Sequence, residues 1–205
     1  MTKNFITFEG PDKVGKTTQY HHTLDYLTSR GIDFVTVREP GGTPVSERVR
    51  ELLLHPDYNL EDMTELLLYE AARAELVGKT IKPSLKSGKI VVCDRYTDSS
   101  TAYQGYGRGL GYELVRTLND IATEGIYPGL TLLYLDRVAS KDNTRLEQVG
   151  KEFDERVMNG YLEIAKKEPE RVKIVRARRG ETAEECIRRT FGEGTLSYVK
   201  EFLGI

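Results

Sequence analysis

Residues 10–17 of the chain read GPDKVGKT and match the pattern G-x-x-x-x-G-K-T. Glycine lets the backbone of such a loop approach an anion closely, so that its N–H groups surround phosphate oxygens. The pattern assigns Lys16 to the β- and γ-phosphates and the hydroxyl of Thr17 to Mg²⁺. The apolar segment FITFE at 5–9 precedes the loop, and a helix that starts near Lys16 would direct its positive end at the anion. We therefore expect a bound nucleotide to contact Gly10, Pro11, Asp12, Lys13, Val14, Gly15, Lys16, Thr17 and Thr18.

The rest of the chain alternates short apolar runs with longer stretches of helical periodicity. This alternation predicts an α/β fold with a parallel sheet and crossover helices. Residues 44–87 predict two helices separated near Pro56, and the polar segment 137–152 predicts a mobile loop. The five strand candidates are NFITFE at 4–9, DFVTVR at 33–38, KIVVCD at 89–94, LTLLYLD at 130–136 and RVKIVRA at 171–177.

The composition indicates a single globular domain over residues 1–205. With 39% apolar residues the chain can bury a continuous core, and a formal net charge of −2 lacks the basic excess of a general nucleic-acid binder. Acidic residues also interleave with the basic tract at 171–189, which favours a strand and a helix there over a nucleic-acid patch. Because no apolar stretch reaches the ~20 residues of a membrane span, we expect a cytoplasmic protein with small charged ligands as partners, and neither nucleic acid nor membrane.

The cysteines and histidines do not show metal-ligand spacing. Cys93 and Cys186 form no C-x-x-C pair, so we expect two reduced thiols. His21, His22 and His55 have no Cys or carboxylate neighbours at ligand spacing, which disfavours a structural metal site.

A transient Mg²⁺ needs a carboxylate at the end of a strand beside the first strand. Asp94 follows the run KIVVC, and Asp136 follows LTLLYL. Spacing alone does not choose between them, and the one that is not used would be a surface carboxylate.

Several segments, in their order along the chain, resemble thymidylate kinases. REPGG or DRY alone would be a weak signal, whereas the whole set is specific and covers most of the chain. The segments are FEGPDKVGKTTQ at 8–19, REPGGT at 38–43, YEAAR at 69–73, DRYTDSSTAYQGYGRG at 94–109, YLD at 134–136, TRLE at 144–147 and GYLEIA at 160–165.

The resemblance implies a P-loop nucleoside-monophosphate kinase fold, with a five-stranded parallel sheet of order 2-3-1-4-5 and a short lid at about 137–152. It implies transfer of the γ-phosphoryl group of Mg·ATP to dTMP, which gives dTDP and ADP for dTTP synthesis. A homodimer is implied as well. It also favours Asp94, beside Thr17, as the Mg²⁺ ligand.

Two arginines fit the demand of a dianionic acceptor, which needs cations to offset its repulsion from a triphosphate. Arg38 and Arg95 follow strand ends at the same edge as the loop, and the resemblance assigns both to the acceptor phosphate. A planar guanidinium suits a phosphate better than an ammonium does. The alternative for each is a surface arginine in an ion pair.

The base and the sugar are assigned by resemblance. Tyr69 would cover the thymine ring and Arg73, four residues later on the same helix face, would reach its O4. A core aromatic residue is the alternative for Tyr69. Ser99 and Ser100 would lie at the edge of the base, and Tyr103 with Gln104 would lie at the 2′-position of the sugar. Asp12 would lie near the 3′-hydroxyl.

The catalytic set comprises Asp12, Lys16 and Arg95 together with a cation whose source is open. Lys13 occupies a basic position in the loop that eukaryotic-type members share, whereas many bacterial members supply cations from a long lid. Arg145 matches the Arg-x-Glu core of that lid. We predict that Lys13 supplies the cation, with Lys141 and Arg145 as the rival donors.

Other nucleotide-binding classes fit less well. A GTP-hydrolysing switch needs an Asn/Thr-Lys-x-Asp motif, which Ser140-Lys141-Asp142 does not match. A deoxynucleoside kinase would leave Arg38 and Arg95 without a dianionic partner. A non-catalytic nucleotide-binding regulator is the alternative outside enzymes.

Overall fold

The computed structural model describes residues 2–12, 14–136, 145–176, 185 and 188–205, and of 145–149 only the backbone. Strands and helices alternate along it: β1 (Thr2–Glu9), α1 (Lys16–Ser29), β2 (Phe34–Arg38), α2 (Pro44–Leu53), α3 (Asp62–Leu76), α4 (Lys82–Lys86), β3 (Ile90–Asp94), α5 (Thr97–Ser100), α6 (Tyr112–Thr123), β4 (Pro128–Tyr134), α7 (Arg145–Lys167), β5 (Val172–Val175) and α8 (Leu196–Leu203). Three π-helical stretches adjoin these helices, at Val77–Ile81, Thr101–Gly107 and Thr190–Thr195.

The five strands form one parallel sheet in the order β2-β3-β1-β4-β5. The predicted α/β architecture, strand set and strand order are confirmed. Phe8 of β1 pairs with Asp94 of β3 and with Leu132 of β4. Because parallel strands end at the same edge of a sheet, this register places the end of β3 beside the loop that follows β1.

The core lies on both faces of the sheet. Phe8 and Leu132 belong to one buried cluster that includes Leu27 of α1. Phe5, three residues earlier and therefore on the opposite face, belongs to a second cluster that includes Leu76 of α3. Both faces of β1 are thus covered, as is usual for an all-parallel sheet.

Local signals fix the start of α2. The hydroxyl of Thr43 accepts a hydrogen bond from the Ser46 N–H at 3.1 Å, and Pro44 lies in the first helical turn. This start places Glu47 in the first turn, where its carboxylate accepts from Arg38 at the end of β2.

The predicted loop at 137–152 is wrong in its second half, because α7 begins at Arg145. Leu, Glu, Gln, Lys and Arg dominate 145–152 and all favour helix, so a polar helix was taken for irregular chain. The first half, 137–144, lies outside the described residues. The two helical runs predicted over 44–87 are present, since α2 is followed by a continuous run from α3 through Val77–Ile81 into α4.

The described residues contain no helix that is long and apolar enough to cross a bilayer. The cytoplasmic location stays a prediction. Cys93 is buried and carries a free thiol, and burial raises its pKa well above the ordinary value. Cys186 lies outside the described residues.

The first residue of the basic tract, Arg171, is part of the core. Its guanidinium, 1% exposed, donates to both carboxylate oxygens of Asp98 at 2.7 Å and to Thr131 at 2.7 Å. Its Nε donates to Glu168 at 2.6 Å. A charge buried at this depth is retained only with such partners, so this arginine serves folding.

We expect Arg171→Met to lower the free energy of unfolding by about 3–5 kcal/mol, because it leaves the buried Asp98 carboxylate without its cation. Urea denaturation at neutral pH measures the change. Arg48→Met is the matched control, since the Arg48–Glu51 pair is 79% and 63% exposed and should contribute less than about 1 kcal/mol. Equal losses in the two variants would contradict the buried-pair interpretation.

Candidate active site

The loop after β1 is shaped by two glycines in conformations that other residues rarely adopt. Gly10 has φ +135°, and a Cβ atom there would lie 2.0 Å from the carbonyl oxygen of Tyr134. Gly15 has φ +79° and precedes the first residue of α1. The sequence pattern therefore corresponds to a backbone requirement at both positions.

Lys16 and Asp94 meet at the carboxyl ends of β1 and β3. The Lys16 ammonium, 7% exposed, donates to a carboxylate oxygen of Asp94. Asp136, the other candidate for Mg²⁺, has a carboxylate oxygen 3.8 Å from a guanidinium nitrogen of Arg176 and does not line the cavity described next.

A cavity of about 360 Å³ opens beside this pair. It brings together most of the predicted site residues: Asp12, Lys16, Thr17, Arg38, Tyr69, Arg73, Asp94, Arg95, Ser99, Ser100, Tyr103 and Gln104. Its lining also includes residues that the sequence analysis did not predict, namely Glu39, Pro40, Arg50, Leu54 and Tyr96. The remaining predicted loop residues, Gly10, Pro11, Val14, Gly15 and Thr18, do not line it.

Two predicted catalytic groups cannot be assigned a position. Lys13 and the side chain of Arg145 lie outside the described residues, as does Lys141. Val14 points into the core, where it packs in the cluster of Phe8 and Leu132, so only its backbone is available to a phosphate.

Arg95 lines the cavity and donates hydrogen bonds to several polar side chains. It has φ +67°, a left-handed conformation that is costly for a residue with a Cβ atom. Its guanidinium donates to Asp12 at 2.6 Å, to Ser99 at 3.3 Å and to the Tyr161 hydroxyl at 3.5 Å. The same group lies over the Tyr103 ring, 5.6 Å from its centroid.

Arg38 is more exposed and is held by Glu47. Its Nη2 donates to both Glu47 oxygens at 3.0 Å, and its Nη1 donates to the carbonyl of Pro40 at 3.2 Å. The side chain is 48% exposed. Arg38 therefore lines the cavity while it also forms the surface ion pair that the sequence left as an alternative.

Arg73 is buried between the carboxylates of Glu39 and Glu70. Its guanidinium donates to Glu39 at 2.7 and 2.8 Å and to Glu70 at 2.6 Å. It also donates to Ser100 at 3.0 Å and to Asn119 at 2.7 Å. Burial raises the pKa of Glu39 to about 7 although Arg73 opposes the shift.

Two further residues predicted for the site, Gln104 and Tyr69, also line the cavity. The Gln104 amide donates to Glu65 at 2.7 Å. Tyr69 is half-buried, and burial raises its pKa above the ordinary value. Since Tyr69 lines the cavity, the alternative of a purely core aromatic residue does not hold.

Glu9 is the functional candidate that the sequence analysis missed. The carboxylate is fully buried at the end of β1, where it accepts from the Tyr96 N–H, Ser99 and Tyr161. Burial, with the neighbouring Asp98 charge, raises the pKa of Glu9 to about 7. A charged residue at the end of the otherwise apolar run FITFE was the signal that could have identified it.

Comparison with known proteins identifies the family. The thymidylate kinase family model matches residues 8–187. A thymidylate kinase of Exiguobacterium sibiricum is 42% identical over 211 residues, 98% of each chain, and one of Synechococcus is 47% identical over 190 residues, 90% of this chain and 91% of its own. The crystal structure of thymidylate kinase from Ehrlichia chaffeensis superposes with a TM-score of 0.80 at 39% identity, covering 96% of this chain and 97% of its own. The chain belongs to the thymidylate kinase family.

Proposed function

We propose that the cavity beside the loop is where this enzyme transfers the γ-phosphoryl group of ATP to dTMP, giving dTDP and ADP. The phosphotransfer itself is the activity of the family. The observation that supports the location is the convergence of Lys16, Arg38 and Arg95 on one cavity at the carboxyl ends of the strands. Three cations at that edge suit a reaction between a triphosphate and a dianion.

On the donor side, we propose that loop backbone N–H groups and Lys16 hold the β- and γ-phosphates of ATP. The hydroxyl of Thr17 and the carboxylate of Asp94 both line the cavity and provide the oxygen donors that Mg²⁺ prefers. The described residues contain no group of three or more His, Cys, Asp or Glu side chains that could hold a metal. This fits Mg²⁺, which usually takes one or two protein oxygens and completes its shell with phosphate and water. When bound, it would neutralise charge on the transferred group.

On the acceptor side, we propose that Arg95 and Arg38 hold the phosphate of dTMP. Each guanidinium is now paired with a carboxylate, Asp12 and Glu47 respectively. A dianionic phosphate offers a stronger partner than one exposed carboxylate, since two charges and three oxygens meet the planar donor set. Binding would thus exchange one anion for another at cations that are already in place.

For the nucleoside, we propose that Tyr69 packs on thymine while Arg73 and Ser100 serve its polar edge. The contact between Arg73 and Ser100 at 3.0 Å supports their action as a unit. Tyr103 and Gln104 would lie against the sugar, where a 2′-hydroxyl would be buried without a partner. Asp12 would accept from the 3′-hydroxyl once the phosphate occupies Arg95.

We also propose a homodimer and a lid, both expected from the resemblance. The second half of the lid, 145–152, would be the start of α7. Large apolar side chains are exposed on three neighbouring helices, with Leu52 of α2 45%, Leu67 of α3 50% and Ile121 of α6 70% accessible. A second copy of the chain would cover such a surface. Sedimentation equilibrium at micromolar concentration tests this, and a monomeric mass would refute the dimer.

A coupled assay of ATP consumption tests the function. We expect dTMP to give the highest kcat/KM in a panel of nucleosides and monophosphates, with ribothymidine monophosphate well below it. Chelation of divalent cations should abolish turnover, and added Mg²⁺ should restore it. Turnover with another monophosphate but not with dTMP would show the acceptor assignment to be wrong.

We expect Arg95→Ala to lower kcat/KM for dTMP by a factor that corresponds to about 2–5 kcal/mol, because it removes a charge-assisted contact to the dianion. Steady-state kinetics with varied dTMP measures the loss. Arg108→Ala is the matched control, since Arg108 pairs with Glu65 and Asp62 and does not line the cavity. Near-native kinetics of the Arg95 variant would show that Arg95 does not bind the acceptor phosphate and has a structural role only.

We expect Lys13→Gly to lower kcat on the order of 10–10³-fold with little change in ATP affinity, because a cation near the transferred group stabilises charge that develops in the transition state. Single-turnover rates and ATP binding are measured together. Lys141→Ala and Arg145→Ala are made in parallel. If Arg145→Ala abolishes turnover while Lys13→Gly does not, the cation comes from the lid.

A further inference from the structure

We infer that Glu9 is a positioning residue, which holds the Arg95 guanidinium in place for the acceptor phosphate through the hydroxyls of Ser99 and Tyr161. The inference rests on the proposed role of Arg95. Glu9 does not itself line the cavity and, among the described residues, forms no direct hydrogen bond with Arg95, but its carboxylate accepts from Tyr96 and Ser99, which do line the cavity.

The burial of Glu9 needs an explanation that packing does not supply. Its side chain is 0% exposed in a sheet of apolar residues, between Phe8 and the loop. A carboxylate in such surroundings costs several kcal/mol unless it is fully hydrogen-bonded. Among the described residues, its hydrogen bonds go to Tyr96 and Ser99, which follow β3, and to Tyr161 of α7, so the carboxylate is tied to that corner of the cavity.

One carboxylate oxygen fixes the backbone at Arg95. The N–H of Arg95 donates to the carbonyl of Phe8 at 3.0 Å, and the next N–H, of Tyr96, donates to Glu9 Oε1 at 2.7 Å. Two successive amides are thereby anchored to the end of β1. This anchoring offsets the cost of the left-handed conformation at Arg95.

The other oxygen fixes the direction of the hydrogen bonds around the guanidinium. Ser99 donates to Glu9 Oε2 at 2.6 Å and Tyr161 donates to it at 3.2 Å. The two hydroxyls also lie 3.1 Å from each other, but each has only one proton. When both donate to Glu9, only lone pairs are left for Arg95, which donates to Ser99 at 3.3 Å and to Tyr161 at 3.5 Å. Hydrogen bonds thus connect the guanidinium of Arg95, through the two hydroxyls, to the carboxylate of Glu9.

The substitution Glu9→Gln would reverse the direction of some of these hydrogen bonds. If the carbonyl oxygen of the glutamine faces the Tyr96 N–H, its amide group presents protons to Ser99 and Tyr161. Their hydroxyl protons would then turn toward the guanidinium of Arg95, which is itself only a donor. The shape of the side chain is retained while the acceptor and the negative charge are lost. Loss of the charge alone would favour binding of a dianion, so a weaker affinity for dTMP reports the positioning effect.

The test compares binding of dTMP with binding of thymidine, which lacks the phosphate, by isothermal titration calorimetry. We expect Glu9→Gln to raise the Kd of dTMP by about 5- to 50-fold and to change the Kd of thymidine by less than about 2-fold. Tyr161→Phe removes one of the two hydroxyls and should show a smaller loss with the same selectivity for dTMP. It keeps the inference testable if Glu9→Gln does not fold.

Matched controls separate this effect from general destabilisation. Glu163→Gln lies on the same helix as Tyr161 and removes an exposed carboxylate that pairs with Lys166. Tyr127→Phe removes a tyrosine hydroxyl that donates to Asp120. Both should leave the two Kd values unchanged, and thermal unfolding checks that each variant is folded.

A double-mutant cycle with Arg95→Ala completes the experiment. In that background Glu9→Gln should change the Kd of dTMP by less than about 2-fold, because the group it positions is absent. Equal losses for dTMP and thymidine, or an undiminished loss in the Arg95→Ala background, would overturn the inference. If Arg95→Ala alone leaves the preference for dTMP over thymidine intact, the proposed role of Arg95 fails and the positioning role fails with it. If Arg95→Ala removes that preference and Glu9→Gln does not, only the positioning role fails.

Discussion

The parallel pairing of β1 with β3 is the constraint on which the site depends. Phe8 lies opposite Asp94, so the loop that follows β1 and the segment that follows β3 leave the sheet at the same place. Lys16 reaches Asp94 and Glu9 reaches the amide of Tyr96 only because of this register. A shift of one residue would reverse the side-chain faces of a strand and break the contacts of Lys16 with Asp94 and of Glu9 with Tyr96.

Three cations of the cavity share a second property, which is that each is already paired with a carboxylate, whereas the Arg50 guanidinium donates to the carbonyl of Pro40 at 2.8 Å. Lys16 contacts Asp94, Arg95 contacts Asp12 and Arg38 contacts Glu47. Such pairs keep positive charge compensated inside a partly buried cavity, where an isolated charge would be costly. They also restrict the conformations of these long side chains, which would reduce the entropy lost when an anion binds.

The strands and the loop after β1 could be predicted from local signals in the sequence, whereas most of the residues that line the cavity were expected only from the resemblance to thymidylate kinases. Apolar runs marked the strands, and the glycines of the loop corresponded to φ values that other residues rarely adopt. The partners of the charged groups were not predictable, since Glu9 and Ser99, or Glu39 and Arg73, are far apart in the chain and meet only through the sheet register. The helical start of α7 was missed because its polar composition resembles that of a loop, although the same residues favour helix.

The cluster around Arg73 gives the cavity an electrical polarity. Two buried carboxylates, Glu39 and Glu70, share this one guanidinium, and among the described residues one oxygen of each has no hydrogen-bond partner. With both carboxylates ionised, that corner carries one excess negative charge, whereas Lys16 and Arg95 elsewhere in the cavity are each balanced by one carboxylate. A ligand whose whole charge sits at one end would be turned by the field before any contact forms. The charged end of an acceptor would be least stable beside Glu39 and Glu70, which would favour one orientation of the acceptor in the cavity.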